Sequence, residues 1–239
     1  MSLEGKVTVI TGGEGPLGRE VTKKFLADGA KVVIGWFSPE EWEEAKGLIP
    51  SDYKGQVIDM QFNASKEEQV EALMKKAKDT FGTIDHLVHT VGMFRMGTTL
   101  WETEVATWEQ LVDTNLKGAF LCCKHAVKVM LEKGEGRIIV FPPGNVEYPG
   151  PRGIPYAASK VGLLIIMRGL REELKDTNIT INAIMPGIMD TFRTRKMPHA
   201  PAPPDKWTQP SDVAGLIHFL CSDEGRVVNG AMLRAPGGI

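Results

Sequence analysis

Tyr156 and Lys160, four residues apart in the segment YAASK, are the side chains in this sequence best suited to proton chemistry. On a helix that spacing puts both on one face, with phenol and ammonium pointing the same way. A cation one turn along favours phenolate, which would bring the phenol down from its ordinary pKa of about 10 toward working pH. A tyrosine in that state can give a proton to a substrate oxygen or take one from it. Alone, the pair also reads as an ordinary helix start with a surface lysine, so the elements around it must decide.

Bulk properties narrow the class first. The chain has 239 residues, 42% hydrophobic and 24% charged, the balance of a globular protein able to bury a large core. A formal charge of -2 gives no global attraction to nucleic acid or to an anionic membrane. No apolar run approaches the roughly 18 residues of a membrane span, and the start, MSLEGKVTVITGG, enters a strand at once rather than a signal segment. A cytoplasmic location is expected. Cys122, Cys123 and Cys221 show no metal-ligand spacing and are assigned to the core, with a reactive thiol as the alternative. No metal site is expected.

The chain opens with a strand over Val7 to Ile10, a helix carrying Leu17, Val21, Phe25 and Leu26 at helical spacing, a stop at Asp28-Gly29, and a second strand over Val32 to Ile34. Strand, glycine-rich turn, helix and strand within this length make a βαβ unit with a parallel pair. The turn, Thr11 to Gly18, lies where a helix N-terminus attracts the pyrophosphate of a dinucleotide. Further units follow: a helix over Glu40 to Leu48, a strand over Gln56 to Phe62, an amphipathic helix through Val70, Leu73, Met74, Ala77 and Phe81, and a strand in IDHLVHTVG. A long helical region over Glu104 to Glu132 comes next, then strands RIIVF and ITINAIM flanking the YAASK helix. The chain finishes with a helix over Ser211 to Cys221 and the segment GAMLRAPGGI. The expectation is one α/β domain over 1–239, a Rossmann-like doubly wound parallel sheet of about seven strands with helices on both faces.

Thr11, Gly12 and Gly18 in the turn, Asn115 in NLKGAF, Tyr156 and Lys160 in YAASK, and PGIMDT over 186–191 resemble, in order and spacing, the motifs of the short-chain dehydrogenase/reductase family. The resemblance covers essentially the whole chain. It implies an oxidoreductase that uses NAD or NADP to interconvert a carbonyl and an alcohol on a small molecule, with Tyr156, Lys160 and Asn115 as the catalytic set. It also implies cofactor contacts from Gly12, Gly15, Leu17, Gly18, Trp36, Asn63, Gly92, Tyr156, Lys160, Pro186, Gly187, Ile188 and Thr191. In relatives the asparagine bends its helix and holds a water that relays protons to the lysine, and the Ile188 and Thr191 positions bind the nicotinamide carboxamide. Relatives assemble as dimers or tetramers through the two long helices, so a homodimer or homotetramer is expected.

Several positions depart from the family pattern. Pro16 replaces the middle glycine of the turn, with Gly15 just before it and Glu14 adding a negative charge. The second strand ends GWFS, without the acid typical of NAD users or the cations typical of NADP users. Trp36 or Phe37 is placed either to stack on adenine or to cover the neighbouring helix. Asn63 stands where relatives have Asp, its amide able to accept from the adenine amino group. His89, Thr90 and Val91 replace the usual residues at the end of the fourth strand, where only Gly92 matches, and His89 is read as structural.

Pro236 replaces a late Asp, and the family's serine, thirteen residues before the tyrosine, is Pro143. In enzymes that lose one such hydrogen-bond donor the rate falls about a hundredfold to a thousandfold. Asn145 and Tyr148 are the neighbours able to compensate. The resemblance implies a substrate lid over about 190–208, and Arg193, Arg195, Lys196 and His199 make it basic, which points either to an anionic substrate or to a solvated loop with ordinary charges. Alternatives to the oxidoreductase are a catalytically silent or binding-only relative, and a non-redox isomerase or lyase that uses the tyrosine-lysine pair.

Overall fold

The computed structural model describes residues 2–143, 150–196 and 204–237. In chain order its elements are β1 (Val7–Thr11), α1 (Pro16–Ala27), β2 (Lys31–Trp36), α2 (Pro39–Lys46), β3 (Val57–Gln61), α3 (Glu67–Phe81) and β4 (His86–His89). They continue with α4 (Val105–Leu111), α5 (Gly118–Lys133), β5 (Glu135–Val140), α6 (Ile154–Glu173), β6 (Asn178–Pro186), α7 (Pro210–Cys221) and β7 (Met232–Ala235).

Strands without an alternating polar face must be covered on both sides. VTVIT in β1 is buried at every position, and β1 sits inside a seven-stranded sheet of order β3-β2-β1-β4-β5-β6-β7. Every pairing is parallel, β1 meeting β2 at Val9↔Val33 and β4 at Val9↔Leu87. One face packs on α3, α5 and α6 through Val70, Leu73, Ala126, Met130, Leu163 and Met167. The other packs on α1, α2 and α7 through Val21, Phe25, Trp42, Val213 and Ile217. Phe25 is fully buried, and truncating such a ring to alanine costs about 3–5 kcal/mol. This is the doubly wound Rossmann-like architecture, and the strand order reverses between β1 and β4, where a crevice opens beyond the strands' C-terminal ends.

Two differences from the sequence reading bear on that crevice. The fourth strand ends at His89 instead of continuing to Gly92, because β5 stops pairing at Val140; Thr90 N–H makes a last bond to Thr11 O at 3.0 Å, and Thr90 to Gly92 line the crevice. The long helical region expected over 104–132 is interrupted by a π turn, Val112–Lys117, between α4 and α5. A π turn adds a residue to the helical repeat and frees backbone groups, and such turns commonly mark functional positions. Here it brings Asn115 fully inward.

The three cysteines are buried and unpaired, as the core assignment requires. Burial pushes the Cys123 thiol up to about 12 and raises Cys122 and Cys221 as well, so none is a reactive thiolate. Among the described residues no helix is long and apolar enough to cross a membrane, and no group of acidic, histidine or cysteine side chains could hold a metal.

Candidate active site

The crevice is a cleft of about 1450 Å³. That exceeds the roughly 300–1,000 Å³ of a site for one drug-sized ligand. One end is formed by α6, the π turn and the loop after β4, and the other by the glycine-rich turn and the end of β2.

At the first end, Pro155 near the start of α6 fixes the helix entry, so Tyr156 and Lys160 occupy its first turns on one face. Both line the cleft. Lys160 is buried and extends toward the loop after β4, so a Cβ on Gly92 would stand 3.1 Å from its Nζ and 3.5 Å from Asn115 Oδ1. A side chain at position 92 would press on the lysine, which gives that glycine a reason independent of backbone conformation. The Asn115 amide accepts from Met93 N–H at 2.7 Å and donates to Met93 O and to Ser159 Oγ, both at 2.9 Å. The Ser159 hydroxyl in turn donates to Tyr156 O at 2.7 Å. α6, the π turn and the loop after β4 are thus fixed to one another through a single buried amide.

Two expectations need correction here. Burial pushes the Tyr156 phenol up, to about 12, rather than down. Its surroundings are apolar, with the Phe94 ring edge-on at a centroid distance of 4.9 Å, and a phenolate there gives up water that the ammonium one turn along does not replace. The same desolvation brings Lys160 down to about 8. Nor is the Asn115 side chain free to hold a water through its N–H groups, since both are engaged; it bends the helix and positions its neighbours. Ser159, inside YAASK itself, was not singled out from the sequence. A buried hydroxyl on a helix face otherwise apolar was the available signal.

At the second end, Gly15 precedes α1 without any side-chain cap, and Pro16 occupies the first turn. The amides of Leu17 and Gly18 therefore belong to a helix start with no internal partners. Gly12 has φ +76°, and a Cβ there would lie 2.9 Å from Thr90 Oγ1, whose hydroxyl donates to Thr11 O at 2.7 Å. A Cβ on Gly18 would come within 2.5 Å of Gly13 Cα. The turn is as tight as its glycines permit, and a helix N-terminus with uncapped donors opens onto the cleft. These residues fit the pyrophosphate of a dinucleotide.

Trp36 does not stand at that site. Its ring stacks on Trp42 of α2 at 5.7 Å and 10°, and its Nε1 donates to Asp59 Oδ1 at 2.7 Å. The period of two along β2 puts Trp36 on the same face as Val32 and Ile34, against α2, and it is the next residue, Phe37, that lines the cleft. The strand's alternation was the signal that could have placed it. Asn63 lines the cleft, but its Oδ1 already accepts from Ser65 N and Ser65 Oγ at 2.9 and 2.8 Å. Both lone pairs of that oxygen are engaged, so toward adenine this side chain can offer only its N–H groups.

His89 is fully buried against Thr11 Oγ1 at 2.8 Å, and burial pushes it down to about 3, a neutral ring outside the proton chemistry.

Pro186, the last residue of β6, and Gly187, Ile188 and Thr191 after it line the cleft. Gly187 is held against the end of β7, where a Cβ would come within 2.4 Å of Pro236 O. The Thr191 and Thr194 hydroxyls meet at 2.8 Å and pin the start of the segment that follows. Pro143 lines the catalytic end and offers no hydroxyl; Asn145 and Tyr148 lie outside the described residues. In the basic segment Arg193 pairs with Glu41, and Arg195 forms a bidentate pair with Asp190 at 2.5 and 2.8 Å. Those two cations are neutralised where the sequence reading left them available to an anionic substrate; residues 197–203, with His199, lie outside the described residues.

The family described as short chain dehydrogenase matches residues 6–202. The 3-oxoacyl-[acyl-carrier-protein] reductase FabG of Thermotoga maritima is 32% identical over 250 residues, covering 100% of this chain and 99% of that protein. Among solved structures, a short chain dehydrogenase from Bacillus anthracis superposes with a TM-score of 0.88 at 30% identity, covering 99% of this chain and 97% of that one. ElxO, solved with NADP bound, superposes with a TM-score of 0.88 at 27% identity, covering 98% of each chain.

Proposed function

Because the chain belongs to the short chain dehydrogenase family and is an oxidoreductase of that family, we propose that Tyr156 is the group that exchanges a proton with the substrate oxygen, opposite a nicotinamide dinucleotide lying along the cleft. The observation that carries this reading is the convergence of Lys160 Nζ and Asn115 Oδ1 on Gly92, in the cleft that Tyr156 and the uncapped start of α1 also line.

The bound cofactor supplies or accepts the hydride at the substrate carbon. Tyr156, with its phenol held up at about 12, is protonated at neutral pH, the state needed to deliver a proton in carbonyl reduction. Lys160 at about 8 is mostly charged at pH 7 and close enough to neutrality to pass a proton on. Asn115 and Ser159 keep the helix, the π turn and the loop in register, so that phenol and ammonium stay aimed at the same space. With Pro143 in place of a hydroxyl, Tyr156 carries the hydrogen bond to the substrate oxygen without help from that position. Apolar walls from Met93, Phe94, Met96, Pro142 and Met189 fit a substrate whose non-reacting part is apolar.

Exposed Trp108, Phe120, Val161 and Ile165, on α4, α5 and α6, are the faces through which we expect a homodimer or homotetramer to form. Light scattering on the purified protein reads that state directly, and a monomer would refute it.

NADH and NADPH titrated separately, followed by nicotinamide fluorescence and then by turnover on a panel of apolar ketones and aldehydes, test the functional reading. Saturable binding with turnover supports it. Binding without turnover points to a silent relative, and no binding of either nucleotide overturns it.

A further inference from the structure

The corner where the glycine-rich turn meets the end of β2 carries a carboxylate with an unusual setting. Glu14 is 7% exposed although it sits in a loop, and its Oε1 accepts from Phe37 N–H at 2.8 Å and from Ser38 N–H at 3.4 Å. Those amides follow the last residue of β2 and are the backbone donors an anion at this corner would use. The other oxygen, Oε2, is buried with no hydrogen-bond partner among the described residues. A buried carboxylate oxygen without a donor is costly, and a ligand hydroxyl at this corner would relieve it.

The neighbouring charges are equally one-sided. Arg19 is engaged by Glu14 O, Glu41 O and Glu44 Oε2, at 2.7, 3.1 and 3.2 Å. Arg193 is paired with Glu41. The start of α2 adds no anion site: Pro39 has no N–H, and the Glu41 amide is taken by the Ser38 hydroxyl at 3.3 Å. The remaining cations of the cleft, Lys160 and Arg234, stand on α6 and β7, across the sheet from β2.

In a dinucleotide whose pyrophosphate lies on the start of α1, the adenosine ribose reaches the end of the second strand. We propose that Glu14 selects the cofactor: its carboxylate takes a hydrogen bond from a hydroxyl of that ribose and repels a phosphate at the same place, so this protein binds NAD(H) in preference to NADP(H). The inference rests on the dinucleotide reading above. It transfers to the glycine-rich turn a task for which the end of β2, with Trp36 turned onto α2, has no side chain.

Dissociation constants for NADH and NADPH, measured by nicotinamide fluorescence and by calorimetry on the wild-type protein and on Glu14→Gln, test it without any assay of turnover. In the wild type NADH binds at least about tenfold tighter than NADPH, because the phosphate brings its charge against a buried carboxylate. Glu14→Gln keeps an oxygen for the Phe37 amide and removes the charge, so the preference shrinks several-fold, mainly through a gain in NADPH affinity. Equal or tighter NADPH binding in the wild type overturns the assignment while leaving the dinucleotide reading intact, as does an unchanged ratio in Glu14→Gln. If neither nucleotide binds, both readings fall. Thermal melting checks that the variant is folded; should it not be, Glu14→Ser carries the same comparison, and the wild-type ratio stands as a test by itself.

Discussion

The two ends of the cleft treat buried polar groups in opposite ways. At the adenosine end most polar groups are answered locally: Glu14 Oε1 by the amides after β2, with Oε2 left open, Arg19 by backbone oxygens and Glu44, Arg193 by Glu41, and the Trp36 indole by Asp59. At the catalytic end Lys160 is buried and Tyr156 half-buried, and loss of water dominates both, raising Tyr156 to about 12 and lowering Lys160 to about 8. Their backbones are held firmly by Asn115 and Ser159, while the reacting atoms remain poorly solvated. An end that recognises benefits from fixed, neutralised geometry. An end that moves protons benefits from groups whose charged forms are not already stabilised, because a ligand can then shift them.

Substitutions can break or sharpen that contrast. Tyr156→Phe removes the proton donor alone and is expected to lower kcat about a thousandfold while leaving NADH affinity nearly unchanged, as read by steady-state kinetics and fluorescence titration. A matching loss of affinity would mean that the phenol belongs to the binding end.

Lys160→Met removes a buried charge. The lysine titrates at about 8 folded against an ordinary 10.5, so the unfolded chain holds more protons between those values and wild-type stability climbs as pH rises through them. Nucleotide-free Lys160→Met should therefore be more stable at pH 7 by roughly 3 kcal/mol and should lack that climb, as measured by urea unfolding across pH 7 to 10.5. Tyr156 contributes in the opposite sense and only above about 10, where stability falls as the unfolded phenol ionises first.

Trp36→Ala loses the stacking on Trp42 and the bond to Asp59, at about 2 kcal/mol of stability by the same unfolding measurement. Nucleotide affinity should stay within about twofold. A larger drop would return Trp36 to the cofactor site. Pro143→Ser restores a hydroxyl beside the substrate oxygen and should raise kcat about tenfold, part of the loss such a missing donor causes. No change would show that another group already serves there.

The succession of strands and helices was legible because each carries its own pattern: fully buried β-branched strands, amphipathic helices at a 3.6-residue period, and glycines and prolines between them. The parallel sheet followed from the βαβ order, since only a crossover joins such strands in this way. The candidate site was legible as a set of residue types at set spacings. The π turn was not, because it depends on what the Asn115 amide finds across the cleft, the Met93 backbone and Ser159, residues 22 and 44 positions away along the chain. For Trp36 the sequence left two places, on adenine or over the neighbouring helix, and the structure takes the second, where the alternation of β2 points it onto Trp42 of α2.

By itself the sequence determined the architecture, the position of the glycine-rich turn and the identity of the tyrosine-lysine pair, for these reside in local periodicity and in side-chain chemistry. Only the tertiary structure decided the protonation of that pair and the partner of Glu14. Desolvation and hydrogen bonding depend on which atoms exclude water around a group, and those atoms come from distant parts of the chain.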